Sequence, residues 1–214
     1  MTTSPAIQWF HTAYERMLSL GSNLKGKHFS PGELTNKIRK QFPATDFIFY
    51  THKDYAVDPD MVIVSGIYDC YSDEDQLPSI EITFSYHPEQ KQYFIDLLDW
   101  KQLSFDLAEC VGHEMIHQAL HNSNEERIKT VYQWDDEDQD YLGDEDEIDA
   151  YAFSIAAEAL TFNRPYTDTV MYVVYEKTFD SNPEILLKLQ NQITVYQKQL
   201  EVLNEQIHKD TRDQ

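Results

Sequence analysis

The nine residues Val111–Ala119 read VGHEMIHQA and contain a His-Glu-x-x-His motif at His113, Glu114 and His117. Side chains four residues apart lie one turn above each other on an α-helix, so both imidazoles can bind one zinc ion from the same face. Glu114 lies about 100° around the helix from His113, where its carboxylate can take a proton from metal-bound water. The stretch therefore predicts a buried helix that holds zinc.

A catalytic zinc ion has three protein ligands and one open position, so a further ligand is needed. His121 follows His113 by eight residues, a rise of about 12 Å along a helix, which is too far for a shared ion. No later histidine occurs before His208, so we expect a carboxylate. The acidic run before an alanine-rich segment offers one preferred residue and two alternatives: Glu147, then Asp149 and Glu145.

Apolar periodicity predicts helices at the start of the chain and strands in its middle. We expect a first helix over 7–20 that ends at Gly21, and a second helix that begins after Ser30. Four segments rich in β-branched and aromatic residues follow, and a loop over 87–90 is expected to join the last two as a hairpin: 46–51, 61–68, 79–86 and 92–98. These segments predict a small, mainly antiparallel sheet.

The helical period returns in the second half of the chain. We expect four further helices, over 104–121, 125–134, 147–161 and 168–177. The last periodic segment, 183–208, has apolar residues at alternating steps of four and three, which predicts an amphipathic helix with a heptad seam: Leu189, Ile193, Tyr196, Leu200, Leu203 and Ile207. Such a helix either packs on the rest of the chain or pairs two chains as a homodimer, and the pattern leaves both open.

The two motifs together resemble the gluzincin-type zinc metallopeptidases, in particular the small ImmA/IrrE-like and CAAX-prenyl-protease-like groups. Those groups follow the HExxH helix with a pattern close to Glu-x-x-Ala-(Asp or Asn)-x-Phe-Ala, which Glu147, Ala150 and Phe153 match here. The resemblance implies that His113, His117 and Glu147 are the zinc ligands and that Glu114 is the general base and acid. The SprT-type proteases share the first motif, but their later histidine ligand has no counterpart here.

The chain departs from that pattern at Tyr151, which stands where those groups carry Asp or Asn to orient a zinc-bound histidine. We therefore consider three residues for contacts to a ligand or to the transition state: His121, Asp149 and Tyr151. Further donors to a developing oxyanion are suggested by residue type alone: Tyr141, Tyr166 and Arg164.

The resemblance implies an α+β, zincin-like fold, in which a small sheet packs on the HExxH helix and on a second helix that bears a ligand. We expect residues 1–180 to form the metallopeptidase domain and residues 181–214 to form the C-terminal amphipathic helix. The expected activity is hydrolysis of a peptide bond in a protein or peptide substrate, by water that zinc activates and Glu114 deprotonates.

The net charge narrows the possible partners. The chain has 17 Lys and Arg against 38 Asp and Glu, a formal charge of −21. Such a polyanion repels phosphate backbones and anionic lipids, so we expect no direct contact with nucleic acid or membrane. The absence of a basic and apolar N-terminal segment and the presence of only two cysteines, Cys70 and Cys110, suggest a cytoplasmic protein. The charge also admits two alternatives: a non-catalytic acidic protein that occupies a basic partner by imitating nucleic acid, and a metal-stabilised pseudo-peptidase.

Ten of the acidic residues fall within 135–149. Their spacing from Asp136 to Glu147 partly matches a calcium-binding EF-hand loop, but Tyr141 occupies the position that needs glycine. We therefore expect Zn²⁺ as the cofactor and disfavour Ca²⁺, and we interpret most of the acidic run as a solvated loop.

Overall fold

The computed structural model describes residues 4–42, 47–69, 78–96, 98–123 and 141–210, with side chains up to residue 205. Helices and strands alternate irregularly along these residues, which confirms the α+β class. The helices are α1 (Pro5–Leu24), α2 (Pro31–Arg39), α3 (Trp100–Ser123), α4 (Glu145–Phe162), α5 (Val170–Thr178) and α6 (Pro183–Asp210). The strands are β1 (His28–Phe29), β2 (Phe47–Lys53), β3 (Val62–Asp69), β4 (Ser79–Tyr86) and β5 (Tyr93–Phe94). None of these helices combines the length and the apolar character needed to cross a membrane.

The chain falls into two compact units. One unit comprises Trp9–Glu114, and the other comprises Met1–Gln8 together with Met115–Gln214. The division between Glu114 and Met115 lies inside α3, which is one unbroken helix. The expected helix over 125–134 lies outside the described residues.

Helix α1 continues through Gly21 to Leu24, so the expected end at Gly21 is wrong. The indole of Trp100 packs across this glycine, and a Cβ at Gly21 would lie 2.1 Å from the indole nitrogen. The same nitrogen donates a hydrogen bond to the carbonyl oxygen of Met17 at 2.6 Å. The left-handed backbone that favours glycine occurs after the helix, at Gly26, where φ is 75°. Gly21 therefore serves close packing rather than helix termination.

The main sheet has the strand order β2-β4-β3. Strand β3 is antiparallel to β4, with Val62 opposite Tyr86, whereas β2 is parallel to β4, with Phe47 opposite Ile80. The sheet is therefore mixed, and the expectation of a mainly antiparallel sheet is wrong for the β2–β4 pair. Alternation along a strand shows which face is buried, but it does not say which strand will lie beside it.

The expected hairpin over 87–90 is also wrong. A turn does form there, since the amide of Gln90 donates to the carbonyl oxygen of His87 at 3.0 Å. The next strand, β5, nevertheless has only two residues and pairs with β1, so that Tyr93 lies opposite Phe29. The Tyr93 hydroxyl donates to the carbonyl oxygen of Met61 at 3.0 Å, which ties this second small sheet to the start of β3.

The unit Trp9–Glu114 has its core on one face of the main sheet. Strand β4 is central and alternates strictly, with Ile80, Ile82 and Phe84 buried. Phe84 stacks on Phe49 of β2 at a ring distance of 6.2 Å, and Phe49 stacks on Phe42. Burial of each such side chain contributes about 1.5–3 kcal/mol, so this face accounts for much of the unit's stability.

The other unit is built around α4 and α6, which pack along each other. The heptad seam of α6 supplies the contact, because four of its residues are buried: Leu189, Ile193, Tyr196 and Leu200. The Tyr196 ring meets the Phe153 ring edge-to-face at 5.8 Å. The seam thus serves packing within this unit, and pairing of two chains through α6 stays a prediction.

We predict that Gly21→Ala lowers the free energy of unfolding by about 1–3 kcal/mol, because the added methyl group overpacks the contact with Trp100. Chemical denaturation followed by tryptophan fluorescence measures this loss. Gly32→Ala is the matched control, since a Cβ at Gly32 would meet nothing within 4 Å. A Gly21→Ala protein as stable as the control would contradict the packing role.

Candidate metal centre

Helix α3 carries the HExxH motif in its buried middle. The expected helix over 104–121 is confirmed and extends to Trp100–Ser123. Apolar residues before the motif are buried, and so are His113 and Glu114, which are 8% and 9% exposed. Buried polar side chains cost free energy unless they have partners, so their burial calls for an interaction.

The start of α4 brings a carboxylate to these histidines. Asp144 is the N-cap of α4, and its side chain accepts a hydrogen bond from the Asp146 amide at 2.8 Å. This cap places Glu147 in the first turn, where it is 8% exposed. Glu147 Oε1 lies 3.5 Å from His117 Nε2. An acidic residue in the first turn is also favoured by the helix dipole.

His113, His117 and Glu147 form a group that can bind a metal ion. Each offers one ligand atom, and these three atoms lie within 4.8 Å of one another. Two ligands of a tetrahedral zinc ion lie about 3.3 Å apart, given bond lengths of about 2.0–2.1 Å. The separation of 3.5 Å between His117 and Glu147 is close to that value.

The two alternative carboxylates are engaged elsewhere. Glu145 Oε1 lies 3.5 Å from Lys188 Nζ of α6, and the Glu145 side chain is 66% exposed. Asp149 accepts a hydrogen bond from the Tyr196 hydroxyl, also on α6, and burial together with this bond raises the pKa of Tyr196. Positions 145 and 149 are one turn apart, whereas Glu147 lies about 200° around the helix from each. The helical period therefore separates Glu147 from its neighbours.

A tyrosine holds Glu147 in place. The Tyr141 hydroxyl is hydrogen-bonded to the side chains of Glu147 and Tyr151. Burial is the main cause that raises the pKa of Tyr141, and the negative charge of Glu147 adds to it. Tyr151 follows Glu147 by one turn on α4, so both lie on one face of the helix. Tyr151 stands where the metallopeptidase groups named above carry Asp or Asn. It is linked to Glu147 by the Tyr141 hydroxyl, which is hydrogen-bonded to both side chains.

Tyr175 was not expected near the site. It lies on α5, its side chain is fully buried, and its ring meets the Tyr151 ring edge-to-face at 5.8 Å. Among the residues that the structure describes, its hydroxyl has no hydrogen-bond partner. Burial, followed by the charge of Glu147, raises the pKa of Tyr175. Its place in the apolar repeat of α5 indicates only a core position. The polar hydroxyl of a tyrosine at a core position was therefore the only feature of the sequence that could have pointed to the site.

The remaining sequence candidates lie elsewhere. His121 is in the last turn of α3 and is outside the metal-binding group found among the described residues. Tyr166 packs edge-to-face on Tyr172 at 5.1 Å, and Arg164 forms an ion pair with Glu158.

The calcium-loop interpretation falls mainly on residues outside the described part of the chain: Asp136, Asp138 and Asp140. Of its other members, Asp144 caps α4 and Glu147 belongs to the histidine group. These two carboxylates of the expected loop therefore make other interactions in the part of the chain that the structure describes.

We predict that Tyr175→Phe leaves the free energy of unfolding unchanged or raises it by about 1 kcal/mol, because it removes a buried hydroxyl that lacks a partner. Tyr172→Phe on the same helix is the control. The Tyr172 hydroxyl accepts a hydrogen bond from Gln190 Nε2 at 2.8 Å, so its removal should cost about 1 kcal/mol. Equal losses in the two variants, measured by urea denaturation, would show that Tyr175 has a partner in solution.

Comparison of the chain with protein-family models, with curated proteins and with solved structures finds no match. The chemistry of the residues and their geometry therefore carry the functional argument.

Proposed function

We propose that this protein is a zinc-dependent metallopeptidase of the gluzincin type. The observation that carries the proposal is the grouping of His113, His117 and Glu147, whose ligand atoms lie within 4.8 Å of one another. Three protein ligands leave a fourth position open for water or substrate, which is the arrangement of a catalytic zinc site. Structural zinc sites, in contrast, have four protein ligands.

The donor set favours zinc over the hard cations. Two imidazole nitrogens and one carboxylate oxygen suit zinc, whereas calcium and magnesium prefer oxygen ligands. Both imidazoles can bind the same ion because they lie one turn apart on α3. The hydrogen bond from Tyr141 supports Glu147 from outside the ligand group, as contacts behind a ligand commonly do.

Glu114 is the residue to which we assign proton transfer. It follows His113 on α3 and is buried with it. When bound, zinc lowers the pKa of a coordinated water towards about 7 and polarises a peptide carbonyl. Glu114 would accept a proton from water at the site, so that the resulting hydroxide adds to the carbonyl carbon, and would return that proton to the amine nitrogen as the C–N bond breaks. The cleaved substrate is a protein or a peptide, and the charge of −21 favours one that carries positive charge.

The first test is the metal content of protein purified without added zinc. We expect one zinc ion per chain in the wild type and loss of zinc in His113→Ala, His117→Ala and Glu147→Gln. Glu145→Gln and Asp149→Asn are the matched controls, because these carboxylates contact α6 instead. Zinc that survives all three ligand substitutions would overturn the site.

The second test separates catalysis from metal binding. We expect Glu114→Gln to keep its zinc and to cleave a peptide library at least ~100-fold more slowly than the wild type, because the proton acceptor is lost. Cleavage at the wild-type rate would exclude Glu114 as the base. A zinc-loaded wild type that cleaves no peptide would favour the pseudo-peptidase, and a wild type without zinc would favour the acidic binding protein.

A further inference from the structure

Glu114 faces a glycine of the main sheet. Cys110 and Glu114 lie one turn apart on α3, and both contact β3 at Gly66. A Cβ built on Gly66 would lie 2.6 Å from Cys110 Sγ, 3.0 Å from Glu114 Cγ and 3.3 Å from Glu114 Oε1. Carbon atoms in van der Waals contact are about 3.5–4.0 Å apart. No side chain fits at this position unless Cys110 and Glu114 move.

Gly66 interrupts an otherwise regular strand. Ile63 and Ile67 of β3 are exposed, whereas Gly66 has the opposite phase and lies across from the fully buried Ile82 of β4. A β-branched residue is the usual choice at such a position, and glycine in the middle of a strand weakens it. Glycine in a strand marks the close approach of another group, and the group here includes the Glu114 side chain.

Cys110 shares this space but offers no reactive thiol. It is buried, and burial followed by the nearby charges of Glu109 and Glu114 raises its pKa. A thiol in such surroundings stays protonated and acts as a small apolar side chain. Of the two side chains against Gly66, Glu114 is therefore the one with chemistry to perform.

We propose that Gly66 is the positioning residue for Glu114. The missing side chain at this point of β3 lets the Glu114 carboxylate lie directly against the strand, and any Cβ displaces it. Because the carboxylate must lie within hydrogen-bond reach of the water that it deprotonates, a small displacement slows proton transfer. This inference rests on the proposed role of Glu114 as the base.

The test is Gly66→Ala. We expect kcat to fall by ~10-fold, since the added methyl group moves Glu114 by a few tenths of an ångström and misplacement of a catalytic group by a full 1 Å costs about 100-fold. We also expect KM, the zinc content and the visible spectrum of the cobalt-substituted protein to stay as in the wild type, because the three heavy atoms nearest to the added methyl group belong to Cys110 and Glu114 and not to His113, His117 or Glu147. Ser65→Ala, an exposed neighbour on the same strand, is the control. Wild-type kcat in Gly66→Ala would overturn the inference.

A second pair of variants separates Glu114 from Cys110. Cys110→Ala removes the sulfur atom that lies nearest to the added methyl group, and on its own it should leave kcat near the wild-type value. In Gly66→Ala with Cys110→Ala, we expect the loss of kcat to persist, because the contact with Glu114 remains. Full recovery of kcat in this double variant would show that Gly66 only accommodates the thiol, and would overturn the inference.

A third measurement does not depend on activity. Glu114→Ala removes two of the three atoms nearest to the methyl group that Gly66→Ala adds and leaves only Cys110 Sγ, so Gly66→Ala should destabilise the protein less in that background than in the wild type. Equal destabilisation in both backgrounds would overturn the contact. If the wild type hydrolyses no peptide but this coupling is present, the proposed function fails while the contact between Gly66 and Glu114 stands. If the wild type is active and Gly66→Ala is equally active, the proposed function stands and the positioning role of Gly66 fails.

Discussion

Burial of three ionisable side chains is the constraint that α3 and the start of α4 must satisfy. His113, Glu114 and Glu147 are all nearly excluded from water. Groups of this kind are stable inside a protein when they have charged or hydrogen-bonding partners, and removal of one partner leaves the others uncompensated. The contacts of Glu147 with His117 and with Tyr141 meet part of this need, and a bound cation would in addition neutralise the carboxylate.

The direction in which each side chain leaves α4 separates Glu147 from the other acidic residues of its cluster, because Glu147 alone among the three candidates is grouped with the histidines. The N-cap at Asp144 fixes where the helix begins, and this start determines the direction of every later side chain. Glu145 and Asp149 then lie on the side that contacts α6, and Glu147 lies on the other side. Tyr151 shares the face of Glu147, so the hydrogen bonds of Tyr141 reach both.

Close approach at two glycines explains much of how α3 is held. Gly21 admits the indole of Trp100 at the start of α3, and Gly66 admits Cys110 and Glu114 in its middle. Neither glycine is needed for a left-handed backbone. Both allow a bulky or charged side chain to approach a backbone more closely than any other residue would permit, and Gly66 does so at the residue to which we assign proton transfer.

The sequence by itself determined the α+β class, the helical position of the HExxH motif, the capped start of α2 and the heptad seam of α6, because each depends on residues near one another in the chain. It also named Glu147, but left Glu145 and Asp149 as alternatives, since acidic residues so close together in the chain are equivalent until the helix start is known. Only the tertiary structure decided the mixed sheet, the pairing of β5 with β1, and the positions of Tyr141 and Tyr175 around Glu147. The physical reason is that strand partners and contacts between distant segments depend on long-range packing, and no local periodicity encodes which segments will meet.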